Sequence, residues 1–356
     1  MGIQKEESVG KIKNKHQSLA IRYRPKTFDD VVEQGPIKVI LQQQLKTNTT
    51  KNAYLFCGGA GTGKTTCARI FANEINHNQG NPIEMDAASN SSVDDVRDII
   101  QQAKTKSLDS EYKVFIIDEC HSISNTGWQA FLKLIEEPPA KSVFIFCTTD
   151  PQKIPKTILS RVQRYDFQRI SHNSVVQRLH EICVAEEVAP IPTGTYDEAL
   201  DFIAKLADGG MRDAITLLDK CLSYNRDLSI ENVVKALGAV DYDTMFFLTD
   251  SIITNELDSI IKTIENIHRE GKDLKQFVKT YTVFMLDLCK YGSLKSFEYL
   301  EIPSIYKKKM DTYNEHSYND HFPSLLNTLV KLNADIKWET SPKALIEATL
   351  ILEGDK

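Results

Sequence analysis

A glycine-rich stretch carries the residues most suited to chemistry: Gly58-Gly59-Ala60-Gly61-Thr62-Gly63-Lys64-Thr65, followed by Thr66. Glycines let the backbone curl until successive N–H groups point inward, and a helix that follows adds its positive N-terminal end. Such a loop holds a polyphosphate. Lys64 would neutralise the β- and γ-phosphates of a nucleotide, while the hydroxyl of Thr65 would ligate Mg²⁺.

The segments on either side of this stretch favour a phosphate loop over a flexible glycine turn. An apolar run, Ala53 to Cys57, precedes the glycines and predicts a buried strand. A helix-like segment, Cys67 to Ile75, follows them. Strand, loop and helix therefore come in the order that phosphate binding requires.

Two adjacent carboxylates follow another apolar run. Asp118 and Glu119 come directly after Val114-Phe115-Ile116-Ile117. An acidic residue that ends a buried strand beside a phosphate loop is placed to hold the water shell of Mg²⁺, and the next carboxylate can deprotonate an attacking water. We therefore predict that Asp118 is the metal residue and Glu119 the general base.

Other polar residues follow the next apolar run, Val143 to Cys147, but spacing alone does not settle their roles. Thr149 can reach a γ-phosphate or the water behind it, although threonines are also ordinary strand residues. Arg161 and Arg164 come next in the chain. Either can stabilise phosphoryl-transfer charge at the site of a neighbouring subunit, and either can be a solvated surface residue.

Composition indicates a globular chain of two or three domains that stays in the cytoplasm, which for a phage-encoded chain means the host cytoplasm. The chain has 356 residues, of which 41% are hydrophobic and 26% charged, and no apolar run reaches the roughly 18 residues that span a bilayer. The seven cysteines are scattered without metal-ligand spacing, so we expect no zinc site. The net charge of −6 argues against bulk electrostatic coating of nucleic acid, while a local basic groove remains compatible with it.

Alternating strand-like and helix-like segments predict an α/β nucleotide-binding domain over residues 18–170, after a mobile tail at 1–17. Continuously apolar strands separated by helices are typical of a parallel sheet covered on both faces, which binds its ligands at the carboxyl ends of the strands. From Ser171 onward the pattern is helical, which predicts two all-α domains, residues 171–227 and 228–356. Trp128 and Trp338 are both expected in the core.

A series of motifs resembles the gamma/tau subunits of bacterial DNA polymerase III clamp loaders. The resemblance is dense from Leu19 to Leu237 and diffuse in the last third. It rests on Tyr23-Arg24-Pro25, Gly58 to Thr65, Asp86-Ala87-Ala88-Ser89-Asn90, Asp118-Glu119-Cys120-His121, Leu134-Ile135-Glu136-Glu137-Pro138-Pro139, Thr148-Thr149-Asp150-Pro151, Leu159-Ser160-Arg161 and Gly210-Met211-Arg212-Asp213-Ala214.

The resemblance implies an AAA+ P-loop ATPase domain, a three-helix lid over 171–227 and a helical collar over 228–356. Through the collar, related subunits would form a ring that opens a sliding clamp and loads it on primed-template DNA. It also assigns roles to residues of this chain. Thr149 matches the first sensor, Arg161 the arginine finger that reaches the ATP of an adjacent subunit, and Arg212 the second sensor, while Tyr23 and Arg24 would lie near adenine and ribose.

The chain departs from the family pattern in two places. Most bacterial relatives carry a four-cysteine zinc module where this chain has only residues 76–81, and they have cysteine where this chain has Val162. The first departure implies that the zinc site is absent, and the second leaves Arg161 in place. The chain is also expected to be a gamma-length product without the tau extension.

A DNA contact is expected at the start of the helix near Ser91, Ser92 and Arg97, because free N–H groups at a helix N-terminus favour phosphate. Ordinary helix capping by Asn90 or Ser91 explains the same residues equally well.

Two other functions fit parts of the pattern. A branch-migration helicase motor would need a winged helix after the lid, which the sequence does not show. A non-hydrolysing scaffold would have lost at least one of the catalytic residues, whereas Lys64, Glu119, Arg161 and Arg212 are all present.

Overall fold

The computed structural model describes residues 17–90, 93–107, 109–188, 195–237, 242–297, 299–315 and 321–354. These residues divide into two compact units. The first holds the described residues up to Glu186 together with Ala207–Asp219, and the second holds those of Glu187–Leu206 and Lys220–Lys356. The domain boundaries given above stay predictions.

A five-stranded parallel sheet forms the centre of the first unit. Its strands lie in the order β2-β3-β4-β1-β5. They span β1 Ala53–Cys57, β2 Ile83–Asp86, β3 Lys113–Asp118, β4 Ser142–Thr148 and β5 Gln163–Asp166. Four strands match, to within two residues at each end, the predicted strand-like segments Ala53–Cys57, Ile83–Ala87, Val114–Ile117 and Val143–Cys147. The sequence did not indicate β5, because it is a short edge strand of Gln-Arg-Tyr-Asp in which Tyr165 is the only buried residue.

Helices cover both faces of this sheet, as continuously apolar strands require. The helices of this part of the chain are α1 Leu19–Arg22, α2 Gly35–Thr47, α3 Lys64–Ile75, α4 Val93–Ala103, α5 Asn125–Glu136, α6 Lys156–Leu159 and α7 His172–Ala185. On one face Leu55 packs in a cluster with residues of α4 and α5, including Val96 and Phe131. On the other face Phe56 packs with residues of α2 and α3, including Leu41 and Phe71. Successive side chains of β1 therefore point into the two apolar clusters on opposite faces of the sheet, so this strand lies in the central layer between the helices.

The rest of the described chain is helical, and it contains no strand after β5. Its helices are α8 Thr195–Leu206, α9 Met211–Tyr224, α10 Ile230–Leu237, α11 Tyr242–Ile253, α12 Leu257–Arg269, α13 Leu274–Leu294, α14 Lys307–Glu315, α15 Phe322–Asp335 and α16 Pro342–Gly354. In the second unit α13 packs along α15, and α12 packs along α16. The aromatic rings of Phe246, Tyr281 and Phe284 lie in its core.

The two tryptophans differ in environment. Trp128 of α5 is 2% exposed and packs against Phe131 and Phe146, as expected. The prediction for Trp338 was wrong, because its side chain is 89% exposed. It lies in the connection between α15 and α16, where no periodic apolar pattern indicated which way it faces.

Candidate functional site

The glycine-rich loop connects the buried strand β1 to α3 with backbone angles that favour glycine. Gly58, Gly61 and Gly63 have φ angles of +152°, +69° and +99°, which side chains with a Cβ rarely adopt. A Cβ on Gly61 would also lie 2.9 Å from the Cα of Gly210. The loop therefore needs glycine both for its turns and for close approach to the chain just before α9.

Lys64, the first residue of α3, is folded back over this loop. Its Nζ donates to the carbonyl oxygens of Gly58 at 2.9 Å and Gly59 at 2.7 Å, and the residue is only 6% exposed. Burial lowers the pKa of Lys64, and the nearby carboxylates of Glu119 and Asp118 oppose that shift. An ammonium held at this point, beside curled backbone, is suited to a phosphate group.

The next residue on α3 pairs with the carboxylate at the end of β3. Thr65 Oγ1 donates to Asp118 Oδ2 at 2.7 Å, and the backbone N–H of Glu119 donates to Asp118 Oδ1 at 3.0 Å. A hydroxyl and a carboxylate are the oxygen ligands that Mg²⁺ takes beside substrate phosphates. The donor set of Thr65 and Asp118 therefore fits a magnesium ion held partly through water.

Glu119 follows in a left-handed conformation, with φ of +44°. Its Oε2 accepts a hydrogen bond from Thr149 Oγ1 at 3.1 Å and lies 3.2 Å from Nδ1 of His121. The side chain of Glu119 is 37% exposed, so water reaches it. The structure thus brings Thr149 to the carboxylate predicted as the base, while His121 is a contact that the sequence analysis did not assign.

One cavity of the first unit collects most of the residues predicted to bind nucleotide. The following predicted residues line it: Tyr23, Arg24, Ala60, Gly61, Thr62, Gly63, Lys64, Thr65, Thr66, Asp118, Glu119 and Arg212. Gly58 and Gly59 do not line it, but their carbonyl oxygens accept hydrogen bonds from Lys64 Nζ. A polyphosphate loop, two carboxylates and an arginine therefore meet in one place.

Arg212 reaches this cavity because the start of α9 is joined to the phosphate loop. The N–H of Met211 donates to the carbonyl oxygen of Gly61 at 3.0 Å. Gly209, with φ of +76°, turns the chain just before this contact. Gly210 packs so closely that an added Cβ would lie 3.3 Å from the carbonyl oxygen of Ala60. The second-sensor position predicted for Arg212 is consistent with this placement.

Tyr23 and Arg24 line the far end of the cavity, but the Tyr23 hydroxyl already has a partner. It hydrogen-bonds the carboxylate of Glu186, which also pairs with Arg22. Burial and this carboxylate raise the pKa of Tyr23 to about 12. Arg178 of α7 lines the same end and donates to the Tyr23 carbonyl oxygen at 3.5 Å. Sequence reasoning missed Arg178 and Glu186, because they lie more than 150 residues from Tyr23.

Gln34 is a further residue that sequence reasoning missed. It is 6% exposed and has a φ of +53°. Its Nε2 donates to the carbonyl oxygen of Gln168 at 2.7 Å, and its Oε1 accepts from the N–H of Gln168 at 3.2 Å. The same Nε2 lies 3.5 Å from the carbonyl oxygen of Thr62 in the phosphate loop. A lone glutamine before a helix gives no sequence signal for such a role.

Arg161 does not line this cavity. It follows α6 on the surface, where its Nε donates to Glu136 Oε1 at 2.8 Å and its Nη1 donates to the carbonyl oxygen of Thr157 at 2.9 Å. Its side chain is 40% exposed. Arg164, the alternative arginine, pairs with Asp166 on β5 at 2.7 Å. Arg161 therefore lies outside the chain's own cavity, and its assignment as an arginine finger stays a prediction.

The predicted DNA-contacting residues are described only in part. Ser91 and Ser92 lie outside the described residues. Arg97 on α4 is exposed and pairs with Asp94 Oδ1 at 2.9 Å. The DNA assignment of these three residues stays a prediction.

The described residues contain neither a membrane-spanning helix nor a cluster of metal-ligating side chains. None of their helices is long and apolar enough to span a membrane. No group of three or more His, Cys, Asp or Glu side chains among them is arranged to hold a metal ion. The absence of a zinc site itself stays a prediction.

Two family profiles match the chain. Residues 75–171 match the family described as DNA polymerase III, delta subunit, and residues 174–226 match the ATPase lid domain of the DNA polymerase III clamp loader subunit. Both families are described as parts of the same polymerase.

Curated relatives match over a longer stretch. DNA polymerase III subunit tau of Bacillus subtilis is 34% identical over 94% of this chain and 63% of its own length. The subunit gamma/tau of Mycoplasma genitalium is 29% identical over 84% and 53% respectively, and subunit tau of Escherichia coli is 32% identical over 72% and 42%. The chain spans about half the length of these relatives.

A solved structure with a similar fold is the Holliday junction branch migration motor RuvB of Thermotoga maritima. The TM-score is 0.51 at 18% sequence identity, over 70% of this chain and 86% of that one. This likeness shows a similar fold alone. The sequence matches show that most of this chain is similar to the gamma/tau subunits of bacterial DNA polymerase III.

Proposed function

We propose that this chain is an ATPase subunit of a DNA polymerase clamp loader, which uses ATP to open a sliding clamp and load it onto primed DNA. The observation that carries the ATPase part is the single cavity that holds Lys64, the Thr65–Asp118 pair, Glu119 and Arg212. The clamp-loading part is supported by similarity to the gamma/tau subunits.

The charged and hydroxyl side chains named above each have a role in the proposed hydrolysis of ATP. Lys64 binds the β- and γ-phosphates, and the curled loop donates backbone N–H groups to them. Mg²⁺, held by Thr65 and Asp118, would neutralise phosphate charge as it develops. Glu119 orients the attacking water and accepts its proton, while Arg212 neutralises charge on the γ-phosphate side.

The finer organisation follows the family pattern. Residues 18–170 form the ATPase domain, 171–227 a lid and 228–356 a collar through which related subunits make a ring. The partners are the other subunits of this ring, a sliding clamp and primed-template DNA, whose phosphates rather than bases are contacted. The ring works in the cytoplasm, with ATP and Mg²⁺ as its cofactors and no zinc.

A branch-migration motor is the less favoured function, although RuvB has a similar fold. The sequence relatives at 29–34% identity are polymerase subunits, whereas RuvB is 18% identical. A winged helix would add strands after the lid, and the described residues beyond β5 are entirely without strands. Both observations support the clamp loader.

The test of the proposal is ATP hydrolysis by the purified chain with its partner subunits, measured with clamp and primed DNA added singly and together. We expect the largest stimulation when both are present, because the loader then completes its cycle. Stimulation by a four-way DNA junction without any clamp would instead support the branch-migration motor.

Arg161 is expected to complete the ATP site of a neighbouring subunit. Arg161→Ala should lower turnover about 1000-fold, the usual contribution of an arginine finger, while ATP binding is retained. In a ring with adjacent copies, mixing Arg161→Ala with Glu119→Gln chains should restore part of the activity, since one chain supplies the base and the other the arginine.

Arg164→Ala is the matched control, because it removes an exposed, carboxylate-paired arginine three residues away. Its turnover should remain near that of the unsubstituted chain. Failure of the mixed chains to recover any activity would contradict a shared site.

A further inference from the structure

Two side chains lie close to one oxygen of the Glu119 carboxylate, Thr149 through a hydrogen bond and His121 at ion-pair distance. Glu119 Oε2 accepts from Thr149 Oγ1 at 3.1 Å and lies 3.2 Å from His121 Nδ1. His121 belongs to a short 3₁₀ turn, Cys120–Ser122, that directly follows the left-handed Glu119. The imidazole is only 20% exposed, so it is confined beside the carboxylate.

The proton on Nδ1 decides the character of this contact. A carboxylate only accepts, so Glu119 attracts this nitrogen when it carries a proton. The same Nδ1 lies 3.3 Å from Oγ1 of Thr148, a buried hydroxyl that also accepts from the N–H of Asp150 at 3.0 Å. That oxygen has two lone pairs and can accept both bonds. A protonated Nδ1 would therefore have two oxygen atoms within 3.3 Å that can accept from it, Glu119 Oε2 and Thr148 Oγ1.

We propose that His121 is a positioning residue for the general base. A single bond from Thr149 to Oε2 leaves the carboxylate free to rotate about that contact, whereas a second donor at the same oxygen fixes its plane. Oε2 is then occupied, and Oε1 is directed to the water that attacks the phosphate. The inference rests on the proposed role of Glu119 as base.

Substitutions of His121 that place an N–H group at different positions can distinguish a role of Nδ1 from simple packing. Asn at position 121 places its Nδ2 close to where His121 holds Nδ1, whereas the longer Gln places its amide nearer the far side of the ring. Ala supplies no donor. If the role of His121 depends on Nδ1–H, turnover should be highest in the Asn variant and lower in the Gln and Ala variants. If His121 only fills space, turnover should follow side-chain volume and be highest in the Gln variant.

The measurement is ATP turnover and ATP affinity of the complete loader with clamp and primed DNA. We expect His121→Ala to lower kcat about 10-fold, as for a modest misplacement of a catalytic group, with the Kd for ATP changed less than about 2-fold. His121→Asn should recover most of the lost turnover and His121→Gln little. In the Glu119→Gln background, His121→Ala should cause no further loss.

His77→Ala is the matched control, since His77 is exposed and lies outside the cavity. Equal turnover in His121→Asn and His121→Ala, or a loss that persists in the Glu119→Gln background, would overturn the inference while leaving the ATPase function intact. Absence of turnover in the unsubstituted loader would overturn the proposed function and this inference with it.

Discussion

Replacing Lys64 by Ala is expected to weaken ATP binding strongly. The ammonium is buried on the carbonyl oxygens of Gly58 and Gly59 and faces the cavity. Hydrogen bonds to charged groups contribute about 1.5–3 kcal/mol, so the loss of the phosphate contact should weaken ATP binding on the order of 100-fold. Calorimetric titration of the chain with ATP and Mg²⁺ measures this directly.

Lys113→Ala provides the control for this variant. Lys113 Nζ likewise donates to a carbonyl oxygen, that of Gln102, at 2.7 Å. It lies at the beginning of β3, whereas the cavity is built where β3 ends. ATP affinity should be unchanged in Lys113→Ala. Equal affinity in Lys64→Ala and the unsubstituted chain would show that the glycine-rich loop is not the phosphate site.

Glu119→Gln is expected to separate binding from turnover. The amide oxygen of Gln can still accept the hydrogen bond from Thr149, so the side chain stays in place, but it cannot take a proton. Turnover should fall by about 10²–10⁴, the usual contribution of a general base. ATP affinity should stay within about 3-fold, because the carboxylate acts on the water rather than on the ground-state phosphates.

Steady-state hydrolysis and nucleotide titration of the same preparation test this separation. Glu111→Gln is the control, since Glu111 pairs with Lys141 at 3.2 Å just before β3 begins. Turnover in that variant should match the unsubstituted chain. Equal hydrolysis in Glu119→Gln and the unsubstituted chain would assign the base to another residue.

The site residues that can be predicted from the sequence are those that belong to a short contiguous motif or directly follow a predicted strand. The glycine spacing, Lys64 and Thr65 belong to one contiguous motif, and Asp118 and Glu119 directly follow an apolar run. Because parallel strands end at a common edge, residues after different strands meet there. The structure brings these groups to one cavity.

The parts that sequence did not predict depend on contacts between distant segments. Gln34 holds Gln168, and Glu186 holds Tyr23, across more than 130 residues of chain. His121 is near Glu119 in sequence, and the backbone at Glu119 between this pair and β3 is left-handed. No periodicity predicts such a turn, so the contact between the two side chains was not apparent from the sequence.

The fold was predicted best where burial is continuous and worst at the edges. Strands with apolar runs were found to within two residues, whereas the polar edge strand β5 has no such run. Residue type alone also misled for Trp338, because its hydrophobicity predicted burial whereas its side chain is 89% exposed. Position in a connection, rather than residue type, decides its environment.

The most direct test of the account is the transfer of a labelled sliding clamp onto circular primed DNA, with the loader containing this chain, ATP and Mg²⁺. After removal of free clamp by gel filtration, we expect clamp to co-elute with DNA when the loader is unsubstituted and to be absent when it carries Lys64→Ala. Linearising the DNA should release the clamp. Equal clamp retention without ATP, or with Lys64→Ala, would contradict ATP-driven clamp loading by this chain.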